Sequence, residues 1–305
     1  MPQPASFQNA IVITGATGSG KSALALELAE RLGAEIVSMD SMTLYRGLDI
    51  GTAKPTPEER QRVLHRLIDV LDPWESASVA WWLARAAEAV ADIASRGRKA
   101  RFVGGTPLYL KALLHGLFDG PPADPKLRRR LEAEAAGAAA GALHARLATV
   151  DPAAAGRLHP NDLRRIIRAL EVWELTGRPI SDWQQEWRTT TSTAGPAVYC
   201  IDRPRVELYE RIDQRVTGMV AAGWLDEARR LREWPRPVSR EVLAAIGYRE
   251  LFDFLDGRAD WETTVRTIRQ RTRNFAKRQL TWFRHLPACR FVPPQLTSWP
   301  AELRM

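Results

Sequence analysis

The chain has 305 residues, 45% of them hydrophobic and 26% charged. That length and balance support a well-buried core and exclude a disordered or fibrous polymer. Lys and Arg outnumber Asp and Glu by 44 to 36, a formal net charge of +8, which suits a polyanionic partner such as nucleic acid. Cys200 and Cys289 are the two cysteines, far apart and in no CxxC. They make neither a zinc site nor a disulfide framework, and they fit a reducing compartment. The first ten residues carry no basic cluster leading into an apolar run. No stretch reaches the roughly 18 apolar residues of a membrane span. A cytoplasmic protein without membrane attachment or obligate protein partner, acting as a monomer, is expected.

Ala10-Ile11-Val12-Ile13-Thr14 is an apolar run closed by glycine and predicts a buried strand. Ser22 to Ala29 is a good helix former ending near Gly33. Glu35 to Met39 predicts a second buried strand, followed by Asp40. A helix is predicted over Val79 to Arg96, closed by Gly97, and a third strand over Ala100 to Val103, followed by Gly104-Gly105-Thr106. Strands alternating with helices predict a parallel sheet covered on both faces. The character changes near Asp119-Gly120-Pro121-Pro122. From there the pattern is helical, with repeated Arg pairs, up to an exposed linker at Thr189 to Pro196. Ala197 to Ile201 predicts a return to the sheet, and the chain from Arg205 on is mostly helical. The fold class is therefore α/β: a P-loop parallel sheet core with flanking helices over 1–117 and 197–305, and an inserted all-helical domain over 118–196.

Gly15-Ala16-Thr17-Gly18-Ser19-Gly20-Lys21-Ser22 matches the spacing GxxxxGK followed by Ser or Thr. The glycines let the backbone turn tightly and aim several N–H groups at one point. The following helix adds the positive end of its dipole. Lys21 supplies a cation for the terminal phosphate, and Ser22 can ligate Mg²⁺. A strand before and a helix after give the motif its required context. Hydrolases of this type need an acid at the end of a second apolar strand. The strand ending at Val103 leads into Gly-Gly-Thr instead. Asp40 follows the strand at Glu35 to Met39, at the carboxyl end where open α/β sheets bind ligands. It can hold Mg²⁺, act as a base toward an acceptor, or cap a helix.

Several further segments stand in one order along the chain. They are Asp40-Ser41-Met42-Thr43-Leu44-Tyr45, Asp49-Ile50-Gly51-Thr52-Ala53-Lys54-Pro55, His65-Arg66-Leu67-Ile68-Asp69 and Gly104-Gly105-Thr106-Pro107-Leu108-Tyr109. After them come His159-Pro160-Asn161-Asp162 with Arg164, Arg165, Arg168 and Glu171, then Gly247-Tyr248-Arg249, and Thr272-Arg273-Asn274-Phe275-Ala276-Lys277-Arg278-Gln279-Leu280-Thr281-Trp282. The series resembles the tRNA dimethylallyltransferase (isopentenyltransferase) family from about residue 10 to about residue 290.

The resemblance implies transfer of a dimethylallyl group from dimethylallyl diphosphate to N6 of the adenosine at tRNA position 37, beside the anticodon, with release of pyrophosphate. The loop from Gly15 to Ser22 would then hold a prenyl diphosphate rather than ATP, with Mg²⁺ at Ser22. By the same resemblance Asp40 accepts the proton of the attacking amine. Thr106 contacts the reacting centre or the flipped base. Lys21 stabilises the leaving diphosphate, and either Arg211 or Arg215 clamps it. The implied contacts to the tRNA anticodon stem-loop are Asp40, Ser41, Met42, Thr43, Thr106, Arg128, Arg164, Arg165, Arg168, Gly247, Tyr248, Arg249, Arg273, Lys277, Arg278, Gln279 and Arg284. The chain departs from the family pattern at Ala16, Ser22 and Thr43, where Pro, Thr and Gln are usual.

The C-terminal helix gives separate support. Val265, Ile268, Thr272, Phe275, Gln279, Trp282 and Leu286 recur at spacings of three and four and predict an apolar seam, with Trp282 in the core. Arg266, Arg269, Arg273, Lys277 and Arg284 fall on another face without balancing acids after Glu262. Such a stripe follows phosphates. A small-molecule kinase shares the phosphate loop and could use Asp40 as a base toward a hydroxyl, whereas a prenyltransferase of free adenine nucleotides would need neither this helix nor the inserted domain.

Overall fold

The computed structural model describes residues 4–118, 120–189, 195–295 and 299. The chain divides into two compact units, Met1–Leu114 with Ala194–Met305, and His115–Thr193. Asp119 at the expected domain junction, and residues 190–194 of the expected linker, lie outside the described residues. No helix among the described residues is long and apolar enough to cross a membrane.

In the first unit the chain runs β1 (Ile11–Gly15), α1 (Lys21–Arg31), β2 (Glu35–Ser38), α2 (Pro57–Arg62), β3 (His65–Arg66), α3 (Val79–Ser95), β4 (Ala100–Val103) and α4 (Pro107–His115). After the second unit, which holds α5 (Pro125–Gly137), α6 (Ala142–Val150), α7 (Pro152–Ala155), α8 (Leu163–Thr176) and α9 (Ile180–Thr189), it returns as β5 (Ala197–Ile201). The remaining elements are α10 (Arg205–Ala221), α11 (Trp224–Arg232), α12 (Arg240–Ala244), α13 (Tyr248–Leu255), α14 (Trp261–Arg284) and β6 (Cys289–Val292).

The sheet has the order β3-β2-β4-β1-β5-β6, and every pairing is parallel. Two of these strands escape the sequence. His65–Arg66 is two polar residues long, and Cys289–Val292 carries an exposed Arg290 on the edge, so neither reads as an apolar run. The strand at Ala100 is consequently fourth, not third.

The near-continuous apolar runs of β1, β2, β4 and β5 follow from burial on both faces. On one face Ile13, Ile36 and Tyr199 pack with Ala25, Leu28 and Ala29 of α1. On the other, Trp82 of α3 stacks on Tyr109 of α4 with centroids 4.2 Å apart, and meets Phe102 of β4 edge-on at 6.2 Å. The Trp82 indole N–H donates to the Ser38 carbonyl (3.1 Å), fixing the end of β2. The side chains of α1 and α3 thus hold the carboxyl ends of β1, β2 and β4 in one row.

The helical unit has its own core of Leu131, Leu143, Leu147, Ile166, Leu170 and Ile180, among others. A carboxylate is buried in it. Glu171 is fully buried and accepts from Arg128 Nε (2.8 Å), Arg168 (2.6 Å) and the Asp124 backbone N–H (2.8 Å). Arg168 also donates to the Pro121 carbonyl (2.9 Å). The guanidiniums hold the Glu171 carboxyl below its ordinary range against the opposing effect of burial, the largest single influence. Glu171→Ala leaves both guanidiniums without their shared acceptor. It is expected to cost about 3 kcal/mol of local stability, seen as faster hydrogen exchange in α5 and α8; unchanged protection would contradict this account.

On α14 the buried seam is Thr264, Ile268, Ala276, Gln279 and Phe283. Trp282 is 37% exposed, a correction to its expected place in the core. The physical reason is the helical period of 3.6, which drifts from a strict three-four alternation. After Thr272, Ala276 and Phe283 are buried in place of Phe275 and Trp282, while Gln279 keeps its expected place. The basic stripe is also less unbalanced than its own helix suggests. Arg273 pairs with Asp213 of α10 (2.8 Å) and Arg271 with Glu250 of α13. Acids from neighbouring helices supply what α14 lacks.

Candidate active site

Gly15 ends β1 at φ 151°, and a Cβ there would lie 2.8 Å from the Ser19 hydroxyl oxygen. Gly18 and Gly20 take φ of 81° and 93°, in the left-handed region that favours glycine. The loop therefore doubles back onto α1. Gly20 is the N-cap of α1 and no side chain caps that end, so the first N–H groups of the helix face the loop's concavity. Ser22 lies exposed at the same end.

Two arginines hold the loop from behind. Arg203 Nε donates to the Ser19 carbonyl (3.2 Å), and Arg211 Nε to the Gly18 carbonyl (2.9 Å). Anchoring the Ser19 carbonyl leaves the Gly20 N–H, on the opposite side of that peptide unit, for an anion, while the Ser19 N–H donates to the Ala16 carbonyl (3.1 Å). Arg211 thus braces the loop. Arg203, which follows β5 and also pairs with Glu207, has no counterpart among the residues singled out from the sequence. It sits 184 positions from its acceptor, a separation that no local pattern signals.

Asp40 and Thr106 lie at the ends of β2 and β4, strands paired in register through Ser38 and Val103. Asp40 Oδ1 accepts the Met42 N–H (2.9 Å), and the Asp40 N–H donates to the Ser38 hydroxyl (3.3 Å). The Thr106 hydroxyl accepts the Ser41 N–H (3.1 Å), tying the two strand ends together. Gly104 is required there, because a Cβ would overlap the Met39 backbone.

Lys21 and Arg215 complete the cluster. Burial lowers the Lys21 ammonium to about 8; the Asp40 carboxylate opposes that fall and Arg215 adds to it. Burial likewise lowers the Arg215 guanidinium from its ordinary value, and Asp40 again opposes. Arg215, not Arg211, therefore shares the charge environment of Lys21 and Asp40. Two partly buried cations thus act electrostatically on one carboxylate near the glycine loop. The excess positive charge is what an oxyanion would neutralise.

The remaining residues expected at the site divide by exposure. Lys277, Arg278, Arg284 and Arg249 are exposed, as are Arg164 and Arg165 in the helical unit, the latter paired with Asp162. Arg128 and Arg168 are committed to Glu171, and Arg273 to Asp213. Thr43 is buried, its hydroxyl 2.7 Å from that of Ser38. Tyr248 is 1% exposed and donates its hydroxyl to Glu227 (2.6 Å). Glu227 also accepts the backbone N–H groups of Asp49, Ile50 and Gly51. A Cβ on Gly247 would overlap Trp224. Gly247 and Tyr248 thus shape the loop after Asp40 from within. Lys54 does so from its other end, its buried ammonium donating to the Tyr45 carbonyl (2.6 Å), Asp49 (2.7 Å) and Asp69 (2.5 Å). Gln279 is buried as well and contacts the phosphate loop.

A glycine loop between β1 and α1 of a parallel sheet defines a P-loop protein, built to hold a phosphorylated substrate. The chain belongs to the IPP transferase family, whose model matches residues 43–286, and the isopentenyl transferase model matches residues 8–69. It is 48% identical over 274 residues to the tRNA dimethylallyltransferase of Geobacter metallireducens, covering 90% of this chain and 89% of that one. To the tRNA dimethylallyltransferase of Halorhodospira halophila it is 50% identical, over 90% and 89% of the two chains. The crystal structure of a tRNA isopentenylpyrophosphate transferase from Bacillus halodurans matches with a TM-score of 0.68 and 38% identity, over 97% of this chain and 93% of that one. A eukaryotic dimethylallyltransferase acting on tRNA matches with a TM-score of 0.75 and 27% identity, over 94% and 74%. The chain is a prenyltransferase.

Proposed function

We infer that the chain transfers the dimethylallyl group of dimethylallyl diphosphate to N6 of the adenosine at tRNA position 37 and releases pyrophosphate. The observation that carries this reading is the glycine loop, whose Gly18 and Gly20 take left-handed φ at the head of α1, with Asp40 and Thr106 at the neighbouring strand ends tied through the Ser41 N–H. Lys21, Arg215 and the N-terminus of α1 receive the diphosphate, and Asp40 receives a proton. In the reaction the N6 nitrogen forms a bond to C1 of the dimethylallyl group as the C1–O bond breaks. The electron pair of that bond leaves with the diphosphate, where Lys21, Arg215 and the loop N–H groups stabilise it. The amine proton passes to Asp40. Thr106, tied to Ser41, orients the strand ends around the amine.

The donors present fit a divalent cation. Among the described residues no group of three or more His, Cys, Asp or Glu could hold a metal, so a cation here takes most of its ligands from substrate oxygens, as Mg²⁺ does. The Ser22 hydroxyl is the hard oxygen donor at hand. Bound there, Mg²⁺ would neutralise charge on the departing diphosphate.

The RNA is held by the exposed Arg249, Lys277, Arg278 and Arg284, by Ser41 and Met42 beside Asp40, and by Arg164 and Arg165 of the helical unit. Thr43, Gly247 and Tyr248 act from behind this surface. The target base leaves its stack to reach Asp40, at a cost of about a few kcal/mol. The enzyme acts as a monomer in the cytoplasm, where tRNA and diphosphate are available.

The test is to treat unmodified tRNA with the enzyme, Mg²⁺ and dimethylallyl diphosphate, then map the product by nuclease digestion and mass spectrometry. A dimethylallyl unit on the adenosine at position 37 is expected; modification of free adenine nucleotides alone would reject the tRNA assignment. A salt titration checks the RNA surface. Lys277→Ala is expected to reduce the slope of log K against log salt by about 1. Arg273→Ala, whose charge Asp213 already balances, is expected to change it less. An unchanged slope for Lys277→Ala would remove α14 from the interface.

A further inference from the structure

Gln279 lies one turn after Ala276 on α14, and Ala276 packs with Ala16 of the phosphate loop and with Leu208 and Ile212 of α10. It is 3% exposed. Its Oε1 accepts the Thr17 N–H of the loop (2.9 Å) and its Nε2 donates to the Gly105 carbonyl (2.6 Å). One amide thus spans the two backbone segments that border the cation site. A Cβ on Gly105 would lie 2.6 Å from Gln279 Nε2 and 3.4 Å from Lys21 Nζ. The bridge therefore stands beside the lysine. Only a side chain with a donor and an acceptor at this length closes it: Glu lacks the donor, Met lacks both, and Asn is a methylene too short.

We propose that Gln279 is a positioning residue of the diphosphate site, fixing the gap between the phosphate loop at Thr17 and the tip of β4 at Gly105, and that it is not an RNA contact. The proposal rests on the reading of Gly15 to Ser22 as the diphosphate holder. With Gln279 in place, the Thr17 N–H is satisfied by protein, as the Ser19 N–H is by the Ala16 carbonyl, and the anion falls to the amides of Gly18 and Gly20 and to Lys21. The Gly105 carbonyl, which would otherwise face the incoming phosphate oxygens, is turned to the amide. Without Gln279 that carbonyl is free to repel the anion, and the neighbouring Thr106 loses its fixed distance from Lys21.

Calorimetry with inorganic pyrophosphate, filter binding with tRNA and steady-state kinetics on Gln279→Met and Gln279→Glu test this. For Gln279→Met, pyrophosphate Kd and the KM for dimethylallyl diphosphate are expected to rise about tenfold or more, with tRNA Kd within about twofold of the unsubstituted chain and the far-UV circular dichroism of the folded chain unchanged. Gln279→Glu places a carboxylate beside Lys21. It should weaken pyrophosphate binding further than Gln279→Met does, an added loss that like charge beside the anion produces and loosened packing alone does not. Weakened tRNA binding with unchanged pyrophosphate binding would overturn the proposal and make Gln279 an RNA contact. Equal losses in both, and no difference between the Met and Glu variants, would overturn it in favour of a general structural role. If the unsubstituted chain does not bind pyrophosphate, the diphosphate reading falls and the proposal with it.

Discussion

Asp40→Asn is expected to lower turnover by about 10²–10⁴-fold while leaving tRNA affinity within about twofold. The Asn side chain can still accept the Met42 N–H that Asp40 Oδ1 now accepts, so the turn after β2 persists and with it the Thr106 contact to Ser41. What is lost is the proton acceptor for an exocyclic amine that is a poor nucleophile. A second effect follows from the charge cluster. The Asp40 carboxylate opposes the fall of the Lys21 ammonium, so the Asn variant should lose pyrophosphate affinity at a lower pH than the unsubstituted chain. Single-turnover rates with saturating substrates, set beside tRNA binding, separate these effects. If tRNA binding is lost in proportion to turnover, Asp40 recognises the base and the proton goes elsewhere.

Lys21→Met is expected to cost about 10²–10³-fold in kcat/KM, because it removes one donor aimed at the charge that develops on the leaving group. The pH dependence of the unsubstituted enzyme carries the same information. With the folded-state value lowered to about 8, the ammonium is present below that pH and lost above it. Relative to Lys21→Met, which shares the titration of pyrophosphate itself, the affinity of the unsubstituted chain should therefore be higher below about pH 8 and lose that advantage above it. An ordinary lysine would hold the advantage to above about pH 10. An advantage unchanged across about pH 8 would contradict the lowered value for Lys21.

The parts of the site legible in the sequence are those built by local rules. A run of apolar residues, a glycine loop and a helix place Gly15 to Ser22 without any tertiary knowledge. Asp40 and Thr106 follow because residues after parallel strands gather at one edge of the sheet. The choice between Arg211 and Arg215 was not legible. They lie four residues apart on one face of α10, and only the depth at which each ends distinguishes them: Arg211 at the Gly18 carbonyl, Arg215 beside Asp40 and Lys21. Tyr248 and Gln279 illustrate a second limit. The resemblance placed both against tRNA, yet both are buried, bonded across 21 and 174 residues to Glu227 and Gly105. A motif marks the surface it supports as readily as the surface itself. The two missed strands, β3 and β6, show a third. Short edge strands gain their pairing from the neighbouring strand, so their own sequence carries little signal. On α14, Phe283 rather than Trp282 turns inward because the helical period drifts from a strict three-four alternation, which a seam read from spacing does not follow.

The central claim is that the phosphate loop holds what departs and the five-carbon group is what moves. The most direct measurement uses dimethylallyl diphosphate labelled separately in its carbon and phosphorus atoms, with unmodified tRNA and Mg²⁺. The account predicts that carbon label enters the tRNA in equal amount to the phosphorus label released as pyrophosphate, with no requirement for ATP. Transfer of phosphate from ATP to an acceptor, with no carbon label in the tRNA, would contradict it.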